Sequence, residues 1–191
     1  MFRTVRLRTI VASLIALAAS LALTSSRAEA QVKPFKITGG GYAPEGISLI
    51  PDNPVPHSTV GNATELGKYT GEGSFQILDF TGPLSAEFSS APNVVFVAAN
   101  GDELAMTYGD TNNGAKQPGE VTLVPNDDGS FTAYFVAEFN PDLPNCTGRF
   151  AKLTGGSLIM YAVSDPFFIL GTSTTPFNYS WHGSGTLTFG K

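Results

Sequence analysis

The chain has 191 residues, 42% of them hydrophobic and only 14% charged, with 21 Gly, 13 Pro, 19 Thr and a single Cys. That is too apolar for a disordered chain and unusually poor in charge, so the sequence describes a folded protein whose surface relies on Thr, Ser, Asn and Gly. One Cys excludes an internal disulfide, and one Cys with two His excludes a zinc site of the ordinary Cys/His type.

Arg3, Arg6 and Arg8 form a basic start, 10–23 is an uncharged apolar run, and Ala28-Glu29-Ala30 supplies small residues for cleavage. This pattern predicts a secretory signal peptide over 1–30, cut after Ala30. The run is shorter than the ~20 residues that span a bilayer, and no second apolar stretch follows. The expected product is secreted or periplasmic, with no membrane anchor after cleavage. Removal of 1–30 leaves seven basic and fifteen acidic residues, a net charge of −8 against −5 for the whole chain. A body this acidic, without basic clusters, has no electrostatic footprint for nucleic acid.

The segment 31–56 reads as an N-terminal strand at 35–42 followed by an irregular excursion that carries Pro44, Pro51, Pro54 and Pro56 and wraps or caps the fold. The body, 57–191, forms one domain with it. Strands are predicted at 66–80, 94–98, 104–108, 121–124, 131–139, 156–163 and 177–189, about eight with the first. The clearest is 131–139. There Phe131, Ala133, Phe135, Ala137 and Phe139 alternate with Thr132, Tyr134, Val136 and Glu138, the period of a half-buried strand.

Asn100-Gly101 reads as a type I′ hairpin turn between 94–98 and 104–108, and 125–129 joins 121–124 to the next strand, so both pairs are antiparallel. Over 69–80 the apolar set changes phase at Ile77-Leu78, which predicts a β-bulge. Glycines recur inside strand candidates, where they suit tight curvature. The expected architecture is all-β: a single antiparallel β-barrel of about eight strands, with a two-sheet sandwich as the alternative.

Chemistry is harder to find. The chain has no H-E-x-x-H, P-loop, dinucleotide-binding glycine fingerprint or G-x-S-x-G elbow, and no cofactor or metal is expected. Asp110 to Gly114 lacks the spacing of a calcium loop and is explained as turn chemistry. Cys146 reads as a buried thiol, an intermolecular bridge or a reactive nucleophile. His57 falls in the excursion and reads as a loop residue. His182 shares a strand face with Asn178 and Ser180, opposite Phe177, Tyr179 and Trp181, which puts it outside the barrel or at its rim. Phe75, Phe131, Phe135, Tyr179 and Trp181 occupy predicted inward faces. They either fill the interior or line a pocket for one small apolar ligand.

The stretch Cys146-Thr147-Gly148-Arg149-Phe150-Ala151-Lys152-Leu153-Thr154-Gly155-Gly156 resembles the T-G-R-F-A-x-x-T-G segment of the allene oxide cyclase-like and dirigent-like barrels. Leu66 to Gly73 is similar to their early L-G-x-x-T-G-x-G strand, and Gly183-Ser184-Gly185 to their closing G-x-G strand. The resemblance spans 57–190 and suggests a secreted member of bacterial type. It implies an eight-stranded barrel with an apolar cavity, a homo-oligomer (trimer or dimer), and a Gly-Arg-Phe element entering a strand after a loop. It carries over no catalytic residue, and fold alone does not imply function.

Two functions follow as expectations. The first is an exported barrel that binds a small apolar ligand or serves as an envelope or extracellular structural module. The alternative is a cofactor-free cyclase or isomerase acting on an apolar substrate in the cavity, in which Tyr134, Glu138 or His182 polarises the substrate.

Overall fold

The computed structural model describes residues 30–191; the predicted signal peptide, up to its last residue, lies outside the described residues. In chain order the strands are β1 (Gln31–Ala43), β2 (Val55–Ala63), β3 (Gly67–Gly82), β4 (Ser85–Ala98), β5 (Glu103–Tyr108), β6 (Gly119–Pro125), β7 (Phe131–Pro141), β8 (Leu153–Ser164), β9 (Ile169–Leu170), β10 (Ser173–Thr174) and β11 (Phe177–Phe189). Three short 3₁₀ segments, Thr111–Asn113, Leu143–Asn145 and Gly148–Lys152, are the helical elements among the described residues.

The hydrogen-bonded order runs β3-β2-β1-β11-β8-β7, and β3 also pairs with β4. The remaining gap, between β4 and β7, is bridged twice. β6 joins the start of β4 to Phe131 through Val136 of β7, and β5 joins Val94 through Val97 of β4 to the end of β7. Every pairing is antiparallel, so the ring closes as the predicted barrel, with eight strand positions and β5 and β6 sharing one. Closure leaves no long free edge, which an open sheet of this length would have to protect.

The alternation read from sequence sets the inside. Phe35, Ile37, Leu104, Ala133, Leu158 and Leu187 are buried, whereas Tyr134, Ile159, Tyr161 and Val163 project from the outer face. The bulge expected at Ile77-Leu78 is present as a register shift between Ile77 and Asp79.

Several local expectations are corrected. β2 was not predicted as a strand, its first residues being read as the end of the excursion, yet all nine of its residues pair with β3 and Ser58 to Ala63 pair with β1 as well. Its inward positions are His57 and Thr59 beside Val55, so no apolar alternation marks it. β4 begins at Ser85, nine residues before the predicted strand. The Asn100-Gly101 turn is not type I′. The Gly101 amide donates to Ala98 O at 2.9 Å, the Ala98 amide donates to Asp102 O at 2.9 Å, and only Gly101 has positive φ, at 86°. This is a three-residue loop with a glycine bulge, and Gly129 repeats it after Asn126.

The excursion does cap one end of the barrel. The Leu49 amide donates to Thr172 O at 2.8 Å, the Ile47 amide donates to Thr174 Oγ1 at 2.9 Å, and Ser48 bridges to Ser173. Beside it Phe167, fully buried, bridges to Phe131. At the opposite end Glu65 Oε2 accepts from Lys33 Nζ at 3.2 Å and from Arg149 Nη2 at 2.6 Å. That contact locates the Gly-Arg-Phe element. It forms a 3₁₀ turn ahead of β8 and does not enter the strand, and Arg149 ties this turn to the β2–β3 connection.

Gly39 and Gly61 face each other across β1 and β2. A Cβ on Gly61 would overlap Thr38 O and lie 2.5 Å from the Tyr69 hydroxyl, which itself donates to Thr38 O at 3.1 Å. Backbone cannot yield as a flexible side chain does. Gly61→Val is therefore expected to destabilise the protein by about 2–3 kcal/mol, the upper part of the range for core overpacking. Urea unfolding checks this, and a loss under about 0.5 kcal/mol would show that the two strands need no such approach.

Candidate functional site

Inside the ring is a cavity of about 60 Å³, lined mainly by aromatic carbon. Four rings form a column along it. Tyr108 stacks on Phe139 with centroids 4.6 Å apart, Phe139 on Trp181 at 6.2 Å, and Trp181 on Phe96 at 5.7 Å. The Trp181 indole N–H donates to Thr59 Oγ1 at 2.8 Å, and that hydroxyl donates to Gly40 O at 2.8 Å. Both polar atoms are thereby satisfied within an apolar wall, as burial requires.

One polar constellation remains in this lining. His57 of β2 places Nδ1 2.8 Å from the Tyr179 hydroxyl of β11 and Nε2 2.9 Å from the Tyr108 hydroxyl of β5. Three strands that are distant in sequence are tied together at this point. Burial pushes the His57 imidazole down to about 4, because a charged ring loses hydration there without a carboxylate to replace it. Burial also raises both phenols, Tyr108 well above its ordinary range. Near pH 7 the triad is neutral and its protons are held in hydrogen bonds. His57 also borders a cleft on the outside of the barrel, with Pro56, Glu72 and Pro92, so the triad stands between cavity and surface.

Of the residues singled out from sequence, Phe75, Phe135, Tyr179 and Trp181 line the cavity. Phe131 does not; it sits at the capped end against the Phe167 backbone. Tyr134 and His182 are exposed on the outer face, where His182 stacks on Tyr161 at 5.6 Å. Glu138 also points away from the barrel interior. It is buried beneath the 115–118 loop, with Oε2 accepting the Lys116 amide at 3.0 Å and Oε1 4.0 Å from Lys116 Nζ. None of these three reaches the cavity.

Cys146 is buried, its Sγ directed at Ala105 O and Asp142 O, and burial pushes its thiol up. This matches the buried-thiol reading. The described residues contain no cluster of three or more metal-ligating side chains and no helix long and apolar enough to cross a membrane.

Nothing in the residue pattern joins His57 to Tyr108. Tyr108 ends a strand whose last five residues are all buried, which erases the alternation that would show its direction. The signal available for His57 was its place two residues before Thr59 and two after Val55, one face of a strand hidden by the flanking prolines.

Compared with known protein families, curated proteins and solved structures, the chain matches none.

Proposed function

We propose that the protein is an exported β-barrel that binds a small apolar ligand in its interior. The single observation that carries this reading is the closed ring of strands around a carbon-lined cavity whose walls include Phe75, Phe135 and Trp181. Burial of an apolar molecule there follows the usual physics of small-ligand sites, concave and mostly hydrophobic with a few polar groups. The basic start, apolar run and Ala-x-Ala of the first thirty residues support export. The cyclase or isomerase alternative draws no support from Tyr134, Glu138 or His182, which lie outside the cavity.

Trp181, the chain's single tryptophan, lines the cavity and reports on it directly. Equilibration with xenon, a compact apolar atom that enters dry apolar cavities, is expected to change Trp181 fluorescence saturably. A fluorescence unchanged up to the solubility of the probe would sink the ligand-binding reading and leave the barrel as a structural module.

A further inference from the structure

The outer cleft that His57 borders has a volume of about 510 Å³, within the range of small-molecule sites, roughly 300–1,000 Å³. Strand register explains its shape. The β3–β4 pairing steps from Gly73 opposite Val94 to Phe75 opposite Ser90, so Ala91, Pro92 and Asn93 stand against Ser74 alone. Three residues against one lift β4 off the sheet and raise a wall on that side. Pro44, just past β1, and Pro56 of β2 stand on the other side. Between the walls Glu72 and Ser74 alternate outward on β3, and across the β2 pairing Ser58 lies opposite Glu72 and Pro56 opposite Ser74. Ser58, Glu72 and Ser74 are therefore neighbours on one outward face.

Their polar groups are uncommitted. The ion pairs among the described residues join Lys33 and Arg149 to Glu65 and Lys116 to Glu138, so Glu72 has none. The Ser58 and Ser74 carbonyls accept from Tyr179 and Tyr108 at 3.3 and 3.2 Å, whereas neither serine hydroxyl has a partner among the described residues. No Lys or Arg lines the cleft, and His57 is neutral near pH 7. Asp142, which accepts from Asn93 Nδ2 at 2.8 Å, adds a second carboxylate beside the Asn93 wall. We propose that this cleft binds a primary alkylammonium group, its nitrogen on Glu72, Ser58 and Ser74 and its hydrocarbon against Pro44, Pro56 and Pro92. An ammonium brings three donors and no acceptor, and it meets one carboxylate and two hydroxyls. An anion would face Glu72 with no cation to receive it. A quaternary ammonium keeps the charge but loses every N–H, and an alcohol keeps a donor but loses the charge. Proline rings have no side-chain freedom to lose when a hydrocarbon packs on them. The cleft lies outside the barrel, so its ligand does not depend on what the interior cavity holds.

The test is a titration of isotope-labelled protein with hexylammonium at pH 7 and low salt, followed by the backbone amide shifts in NMR. Shifts are expected to saturate together at Ser58, Glu72, Ser74 and Asn93, with Kd on the order of 1 mM. Hexyltrimethylammonium, hexanol and hexanoate are expected to bind more weakly, hexanoate weakest. Glu72→Gln alters an exposed side chain and is expected to weaken hexylammonium about fivefold, the upper end for an exposed ion pair. Glu120→Gln removes an exposed carboxylate of β6 outside the cleft and is expected to change nothing. Ser58→Ala with Ser74→Ala is expected to erase the preference over hexyltrimethylammonium. Nα-acetyl-lysine methylamide, titrated in parallel, separates two sources of the same chemistry: tighter binding than hexylammonium assigns the group to a lysine side chain, weaker binding to a free amine, and both uphold the site. Equal binding of the quaternary ion or of hexanol, an affinity unchanged by Glu72→Gln, an equal loss in Glu120→Gln, or shifts that spread over the surface without saturating each overturns the assignment. None of these outcomes alters the xenon result, which decides the interior cavity separately.

Discussion

Trp181→Ala is expected to lower the free energy of unfolding by about 4 kcal/mol, within the range for truncating a buried aromatic to Ala. Trp181 is the third ring of a four-ring column, touching Phe139 on one face and Phe96 on the other, and it meets Tyr69 edge-on with centroids 6.3 Å apart. Neighbours drawn from β3, β4 and β7 are each held by strand pairing, so they cannot collapse into the space. That rigidity puts the cost in the upper half of the range. Loss of the indole N–H adds little, because Thr59 keeps its bond to Gly40 O. Trp181→Phe separates the two contributions. It retains an aromatic plate, removes the N–H, and is expected to cost about half as much. The measurement is urea unfolding followed by circular dichroism, since the variants lack the fluorescent residue. A loss below about 2 kcal/mol for Trp181→Ala would mean that the column is loosely packed. The Ala variant also has a larger cavity, so its stability should rise more on addition of a bulky apolar ligand than that of the wild type.

Acidification from pH 7 to 4 is expected to remove about 3 kcal/mol of stability through His57 alone. The imidazole has an ordinary value of 6.5, which the unfolded chain retains, and about 4 in the folded protein. Between those values the unfolded state binds a proton that the folded state refuses, so stability falls as pH drops through this window. The stabilisation is complete above 6.5, and the loss levels off below about 4, where both states carry the proton. The separation of the two values sets the size of the effect. Carboxylates also contribute at the acid end. The Asp128 carboxyl, held below its ordinary value by hydrogen bonds from Ser130, destabilises the fold only at lower pH. His57→Gln keeps a side chain able to donate and accept but does not titrate. The difference between wild-type and variant urea midpoints at pH 7, 6, 5 and 4 isolates His57. Parallel curves would show that the ring is hydrated and its burial ineffective.

The same residue marks where sequence reasoning stopped. Strands with one apolar face, such as 131–139 and 156–163, were legible because burial of alternate side chains leaves a period of two in the chain. The phase change at Ile77-Leu78 was legible for the same reason: a bulge is a break in that period. β2 was not, since its inward face is Val55, His57 and Thr59, polar enough to read as loop, and its stability comes from pairing with β1 and β3 on either side. The hairpin at Asn100-Gly101 was located correctly, but its geometry depends on one extra residue in the loop, which dipeptide preference does not specify.

By itself the amino-acid sequence determined that residues 31–191 form an all-β domain, that its turns make neighbours antiparallel, and that Phe75, Phe135, Tyr179 and Trp181 face inward. Each is local, written in residue type and spacing. Only the tertiary structure decided which inward groups meet. His57 reaches Tyr108 across 51 residues and Tyr179 across 122, and barrel closure through β3 and β4 sets those distances. Tyr134, Glu138 and His182 stand outside, as their alternation with inward aromatics implied; the register of the closed ring added the meeting of His57 with its two phenols, which no single segment carries.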